Sequence, residues 1–319
     1  MKKYFVFMLA AVMLLLAACS NDESTKETHN QIKIYTTVYP LEYFAKQIGG
    51  EYVDVSSIYP PGSNEHTFEP TQKDMISLAD ADLFFYIGLG LEGFVDNAKK
   101  TLEIEHVKFV AVADQIDEEK LHTSTGHSHE EAAEEHEHEH EHEHGEVDPH
   151  VWLSPTISKD LAFTIKNELV KLLPEQEETF NQNYEELAKR LDELDQQFQE
   201  LANNATKKTF FVSHASFGYI AGNYGLTQVP IAGLNSQSEP SQKELAKIVD
   251  LAKKYDIKYI LFEQNVSSKL TSVIQEEIGA ESLMLHNLSV LTEVDIQNKE
   301  DYFTLMEKNI QTLEKALNS

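Results

Sequence analysis

Cysteine is nearly missing from this sequence: the 319 residues contain one, Cys19. No disulfide can form within the chain, and neither a thiolate metal site nor a cysteine nucleophile is available to a folded body. Basic residues are also scarce, with 26 Lys and Arg against 54 Asp and Glu, for a formal net charge of −28. That imbalance repels phosphate backbones and anionic lipid surfaces, and no Lys/Arg cluster offsets it locally, so no nucleic-acid partner is expected. Part of the acidity is confined to one place. Between Asp117 and Asp148 stand 13 acidic residues and one basic residue, Lys120, which supply −12 of the −28. The 41% hydrophobic content is ordinary for a globular protein, and the length suffices for two domains with cores.

Lys2 and Lys3 precede an apolar run from Tyr4 to Ala18. This is the layout of an export signal, and the run is too short to span a membrane comfortably. Leu16-Ala17-Ala18-Cys19 resembles the lipobox of bacterial lipoproteins. The resemblance implies that residues 1–18 are removed and that Cys19 becomes a diacylated amino terminus. A plain signal peptide with an incidental cysteine is the other reading. Residues 19–31 then form a polar, lipidated tether.

The folded body should begin near Ile32. Strand-like runs at 32–39, 53–59, 82–88 and 108–113 alternate with helical spacing at 41–48 and 71–79. A second set of strands at 209–214, 227–232, 259–263 and 283–288 alternates with helical candidates at 241–254, 269–278 and 301–317. Short apolar strands alternating with helices favour parallel sheets with helices on both faces, because a parallel connection needs a crossover. Between the sets, residues 175–201 lack Gly and Pro and repeat Phe180, Tyr184, Leu187, Leu191, Leu194 and Phe198 at helical spacing. The expected fold is therefore α/β: two similar parallel-sheet lobes joined by one long rigid helix. The boundaries are 32–174 for the first lobe, 175–204 for the connecting helix and 205–319 for the second lobe.

Within the first lobe, residues 117–147 form a His-rich loop of low complexity. It carries His122, His127, His129, His136, His138, His140, His142 and His144. Such a stretch cannot build an apolar core. Imidazoles beside carboxylates make a weak, multivalent metal trap. A merely solubilising acidic loop is the bland alternative, and it leaves eight histidines unexplained. His136-Glu137-His138-Glu139-His140 also satisfies the H-E-x-x-H pattern of zinc proteases, but the match is a by-product of the dipeptide repeat and lacks an apolar helical frame.

Three other histidines follow predicted strands: His66 after the run at 53–59, His150 beyond the loop, and His214 at the end of 209–214. Ligands in open α/β sheets bind outside the carboxyl ends of strands, so the three can meet in one crevice between lobes. Imidazole suits zinc. At Glu65-His66-Thr67-Phe68-Glu69-Pro70, Asp148-Pro149-His150-Val151-Trp152-Leu153-Ser154-Pro155 and His214-Ala215-Ser216-Phe217-Gly218-Tyr219, the chain resembles the metal-specific solute-binding lipoproteins of ABC importers, in particular their zinc-binding group. The resemblance covers essentially the whole body beyond the tether.

It implies that His66 and His150 from the first lobe and His214 from the second hold Zn2+ in the cleft. It also implies a cognate ABC permease with its ATPase as partners, and a lipid anchor on the extracytoplasmic face of the cell membrane. A monomer is expected. Manganese-binding relatives usually carry a carboxylate where this chain has His214. For the fourth ligand, relatives offer a carboxylate at the position of Ser289, and serine is a poor zinc ligand. Water is then preferred, Glu65 comes second, and His286 is a further candidate. Glu263 is expected at most to orient a ligand imidazole. Rival readings are a manganese-binding importer component, a surface adhesin or metal buffer, and, remotely, a zinc hydrolase; three nitrogens and an open position suit a catalytic zinc, but no motif supplies a general base.

Overall fold

Burial alternates along the first strand of the body. In β1 (Ile32–Thr36) Ile32, Ile34 and Thr36 are buried, whereas Lys33 and Tyr35 are only partly so, the period-two pattern of a pleated strand. The computed structural model describes residues 31–122, 147–236, 240–265 and 269–319. After β1 come α1 (Tyr39–Gly49), β2 (Val53–Ser57), α2 (Gln72–Ala79), β3 (Leu83–Tyr86), α3 (Val95–Thr101), β4 (Lys108–Ala111) and the short α4 (Glu118–Leu121). The four strands are parallel in the order β2-β1-β3-β4. Gly50 ends α1 at φ 53°, a left-handed conformation that favours glycine. Thr71 and Asp74 cap α2 reciprocally.

Beyond the acidic segment, α5 (Pro155–Leu172) starts on Ser154, whose hydroxyl accepts the Ile157 N–H, with Pro155 in the first turn. Then comes α6 (Glu177–Asn204), whose 28 residues make a rod about 42 Å long. The second lobe repeats the first: β5 (Thr209–His214), α7 (Gly218–Asn223), β6 (Thr227–Ala232), α8 (Gln242–Lys254), β7 (Tyr259–Phe262), α9 (Lys269–Ile278) and β8 (Glu281–Met284). Its strands are also parallel, in the order β6-β5-β7-β8. The chain closes with α10 (Glu293–Gln297) and α11 (Tyr302–Leu317). Both sheets therefore have the same order, with the connections leaving in opposite directions between β1 and β3 and again between β5 and β7. Ligands of open α/β sheets sit at such switch points.

The two-lobed architecture and the long helix agree with the sequence reading. The strand read at 53–59 stops at Ser57, and the one read at 283–288 lies at 281–284. Leu285 and Leu288 are fully buried, but they belong to a loop in which Leu288 takes φ 58°, so their burial imitates a strand. The sequence reading places no helix at 155–172.

Packing does not stop at the lobe boundary. One apolar cluster runs from Ile34, Phe84 and Leu161 through Phe180, Leu191 and Phe198 of α6 to Phe210, Tyr219 and Leu285. From the far end of the chain, α11 reaches back to the first lobe. Its Tyr302 stacks on Tyr43 at 6.1 Å and meets Phe44 edge-on at 5.1 Å. A smaller cluster around Phe211, Ile248 and Ile274 fills the other face of the second sheet. Among the described residues no helix is long and apolar enough to cross a membrane.

Candidate metal centre

At the first switch point, between the ends of β1 and β3, stands the buried Glu92. Its carboxylate accepts the Thr37 hydroxyl at 2.8 Å, the Ile87 N–H at 2.8 Å and the Gly88 N–H at 3.0 Å. Burial pushes this carboxyl up to about 7 against those hydrogen bonds. With that crevice filled, the first lobe offers its functional side chains from loops. His66 stands in the segment beyond β2, where its N–H donates to Asn64 Oδ1 at 3.0 Å. His150 opens the 3-10 turn Val151–Leu153.

The second switch point holds His214, the last residue of β5, beside Glu263, the first residue after β7. The three imidazoles converge. His66, His150 and His214 each present a ring nitrogen, and these three atoms lie within 4.8 Å of one another. His66 Nε2 and His150 Nε2 are 3.3 Å apart. The edge of a tetrahedron with metal–nitrogen bonds of 2.0 to 2.1 Å is about 3.3 Å, so this pair already has the spacing that a tetrahedral zinc requires.

Each buried ring is oriented from behind. His150 Nδ1 donates to Asp148 Oδ1 at 2.8 Å, and the same oxygen accepts the His150 backbone N–H at 2.9 Å. That bond fixes the tautomer and aims the Nε2 lone pair at the centre. His214 Nδ1 lies 3.2 Å from both oxygens of Glu263, and its Nε2 lies 2.8 Å from the Leu234 carbonyl. With acceptors at both nitrogens, His214 is held as an imidazolium. Burial lowers its pKa, but the charge and hydrogen bond of Glu263, the Leu234 carbonyl and Glu65 outweigh it and raise the group to about 9. His66 goes the other way, to about 3, through burial and then the nearby charges of His150 and His214. His150 is likewise pushed well below its ordinary value by burial and then by His214.

Glu65 is buried beside the triad but is not one of its converging donors. Its Oε1 accepts from Asn287 Nδ2 at 3.0 Å and its Oε2 from Asn265 Nδ2 at 2.9 Å. Burial raises its carboxyl, reinforced by Glu263 and opposed by His214 and the Ser289 hydroxyl. His286 does not join the triad. It is buried, accepts the Leu288 N–H on Nδ1 at 2.9 Å and donates from Nε2 to Asp295 of α10 at 3.2 Å, so both ring nitrogens are engaged away from the triad. His122, the one histidine of the acidic segment within the described residues, faces Glu118 at 3.6 Å. His127, His129, His136, His138, His140, His142, His144 and Cys19 lie outside the described residues.

Sequence reasoning brings the three histidines together and names Glu263 as a support, now found on His214 Nδ1, but it misses the other residues that hold the site. Asp148 has a local signal, since an acid two residues before a histidine can turn back on it. Leu234, Asn265 and Asn287 have none, because their contacts with the site are long-range.

Two α/β lobes with three imidazoles meeting in the crevice between them define a binding protein that can hold a metal ion. The family described as zinc-uptake complex component A, periplasmic (ZnuA) matches residues 34–316, and the chain belongs to it. It is 37% identical over 315 residues to the high-affinity zinc uptake system protein ZnuA of Bacillus subtilis, covering 98% of this chain and 97% of that one. It is also 37% identical over 318 residues to zinc-binding protein AdcA of Streptococcus pyogenes, covering 98% of this chain and 61% of the relative, so it spans about three fifths of those AdcA proteins. The Zn(II)-bound ZnuA-like domain of Streptococcus pneumoniae AdcA superposes with a TM-score of 0.73 at 33% identity, covering 91% of this chain and 100% of the domain.

Proposed function

We propose that this protein captures Zn2+ outside the cytoplasm and delivers it to the permease of an ABC importer. The observation that carries the reading is the convergence of His66, His150 and His214 within 4.8 Å, with carboxylates fixing the two rings that are fully buried. These histidines are the ligands. Water takes the fourth position in preference to Glu65, because both oxygens of Glu65 already accept amide N–H groups. Glu65 and Glu263 then stand beside the ion as counter-charges. The role is binding and release rather than catalysis. Cys19 carries the lipid, residues 117–147 gather zinc weakly for the cleft, and the working parts divide as 32–174, 175–204 and 205–319. The protein acts as a monomer with the permease and its ATPase.

A competitive titration of the protein lacking residues 122–144, zinc against manganese, tests this reading. Zinc should win at one tight site, and His214→Ala should abolish that site. Even competition by manganese, or unchanged binding by the variant, would show that the cleft is not the zinc site.

Zinc must displace the proton on His214 Nε2 and the Leu234 carbonyl that holds it. Since that imidazole titrates near 9, protons compete with zinc throughout the neutral range. Apparent affinity should rise about tenfold per pH unit from 7 to 8.5 and level off above 9. His66 and His150 add little there, being neutral already. Calorimetry in buffers of different ionisation enthalpy should register about one proton released per zinc at pH 7.5. The sensitivity therefore lies above the range near 6.5 that ordinary histidines imply.

A further inference from the structure

Behind the triad, the loop after β8 places one fully buried amide, Asn287, between the carboxylates of the two lobes. Its Nδ2 donates to Glu65 Oε1 at 3.0 Å and to Glu263 Oε2 at 2.6 Å, with Asn265 Oδ1 a longer third acceptor at 3.2 Å. Glu65 belongs to the first lobe, next to His66, and Glu263 belongs to the second, where it holds His214 Nδ1. The acceptor end of the same amide is occupied as well. Asn287 Oδ1 receives the Ser289 N–H at 3.0 Å, the Ser289 hydroxyl at 2.9 Å and Gln264 Nε2 at 2.7 Å. These donors fix which end of the amide is nitrogen, because the flipped side chain would set oxygen against two carboxylates.

The main chain of Asn287 is pinned too. Its N–H donates to Gln264 Oε1 at 3.1 Å, and its carbonyl accepts the indole N–H of Trp152 from the first lobe at 2.7 Å.

We infer that Asn287 is a positioning residue for the metal centre, holding Glu65 and Glu263 at set places so that one neutral amide joins the counter-charges of both lobes around a single dication. The inference rests on the zinc reading above. Two buried carboxylates that share no proton repel one another, and a donor given to both offsets that repulsion. The amide is suited to the task because its two hydrogens serve two anions while its oxygen is anchored elsewhere. An aspartate of equal size would add a third negative charge and supply no hydrogen. Without Asn287, Glu263 loses the bond that keeps it on His214, and Glu65 keeps its Asn265 amide at 2.9 Å but loses its tie to the second lobe.

The test compares Asn287→Ala with Asn309→Ala in the full chain. Asn309 clamps the same loop through His286, accepting its N–H at 2.8 Å and donating to its carbonyl at 2.7 Å. Asn309→Ala therefore reports the structural cost of loosening that loop by another route. Zinc affinity is read by competition with a chromophoric chelator, and the visible spectrum of bound Co2+ reports the geometry of the centre. Asn287→Ala should weaken zinc about ten- to a hundredfold, the usual range for partners that orient ligands, and should alter the cobalt spectrum. Asn309→Ala should lower thermal stability while leaving affinity and spectrum as in the wild type. Asn287→Ser, which keeps one donor and leaves a smaller void, should fall between wild type and alanine, and it carries the test if the alanine variant fails to fold. Wild-type affinity and spectrum in the Asn287 variants, or the same changes in Asn309→Ala, would overturn the inference. A wild-type protein that binds neither Zn2+ nor Co2+ at the triad would instead overturn the zinc reading itself.

Discussion

Replacing His150 with alanine is expected to weaken zinc binding by about two orders of magnitude. Apparent binding free energies of about 10 to 16 kcal/mol for four-ligand zinc sites amount to roughly 3 kcal/mol per ligand, or about a hundredfold in affinity. His150 should reach at least that figure. Its ring is fully buried, and Asp148 has already fixed its tautomer, so little orientational freedom remains to be lost on binding. The variant should also lose stability without zinc, by about 1 to 3 kcal/mol, because the buried Asp148 carboxylate no longer receives the ring N–H. Chelator competition measures the first effect and denaturant unfolding of the metal-free protein the second. A variant that kept wild-type zinc affinity while losing stability would identify the triad as structural.

The second large effect belongs to Trp152. Its side chain is fully buried, its ring lies 5.4 Å from that of His150, and its indole N–H crosses to the Asn287 carbonyl. Its own carbonyl accepts the hydroxyls of Ser158 at 2.9 Å and Tyr302 at 3.0 Å. Trp152→Ala removes the largest fully buried side chain where three parts of the protein meet. The expected loss is about 4 kcal/mol, which for a body of this size lowers the melting temperature by roughly 7 °C. Trp152→Phe keeps most of the volume and drops the N–H, so the difference between the two variants separates packing from the bond to Asn287. A thermal shift of only a degree or two for the alanine variant would mean that the crevice tolerates repacking.

The sheets were legible because their strands are short apolar runs bounded by turn residues, as in Leu83–Tyr86, where all four residues are buried. Helix Pro155–Leu172 was equally open to reading: Ser154-Pro155 is a start signal, and Ile157, Leu161, Ile165 and Leu169 follow it as a buried stripe at helical spacing. The loop holding Leu285 and Leu288 could not be told from a strand, since a buried apolar run has no period of its own. At the site, His66, His150 and His214 were visible because strand ends and neighbouring residues mark them. Their supports divide by distance along the chain. Asp148 acts on a residue two places away, whereas Asn287 acts on Glu65 from the opposite lobe, and only the fold brings them together. The burial of His286 shows the converse: a histidine near a strand end, with both nitrogens spoken for, belongs to a turn.

The apolar cluster that passes from the first sheet through α6 to the second has a consequence for how the molecule comes apart. Cut apart at the connecting helix, the second lobe would expose Phe210, and the first would lose the Tyr302 ring that α11 seats against Tyr43 and Phe44. Neither fragment has a complete interior of its own. The two sheets are therefore expected to melt as one cooperative unit, and zinc bound at the proposed triad would raise the stability of both at once.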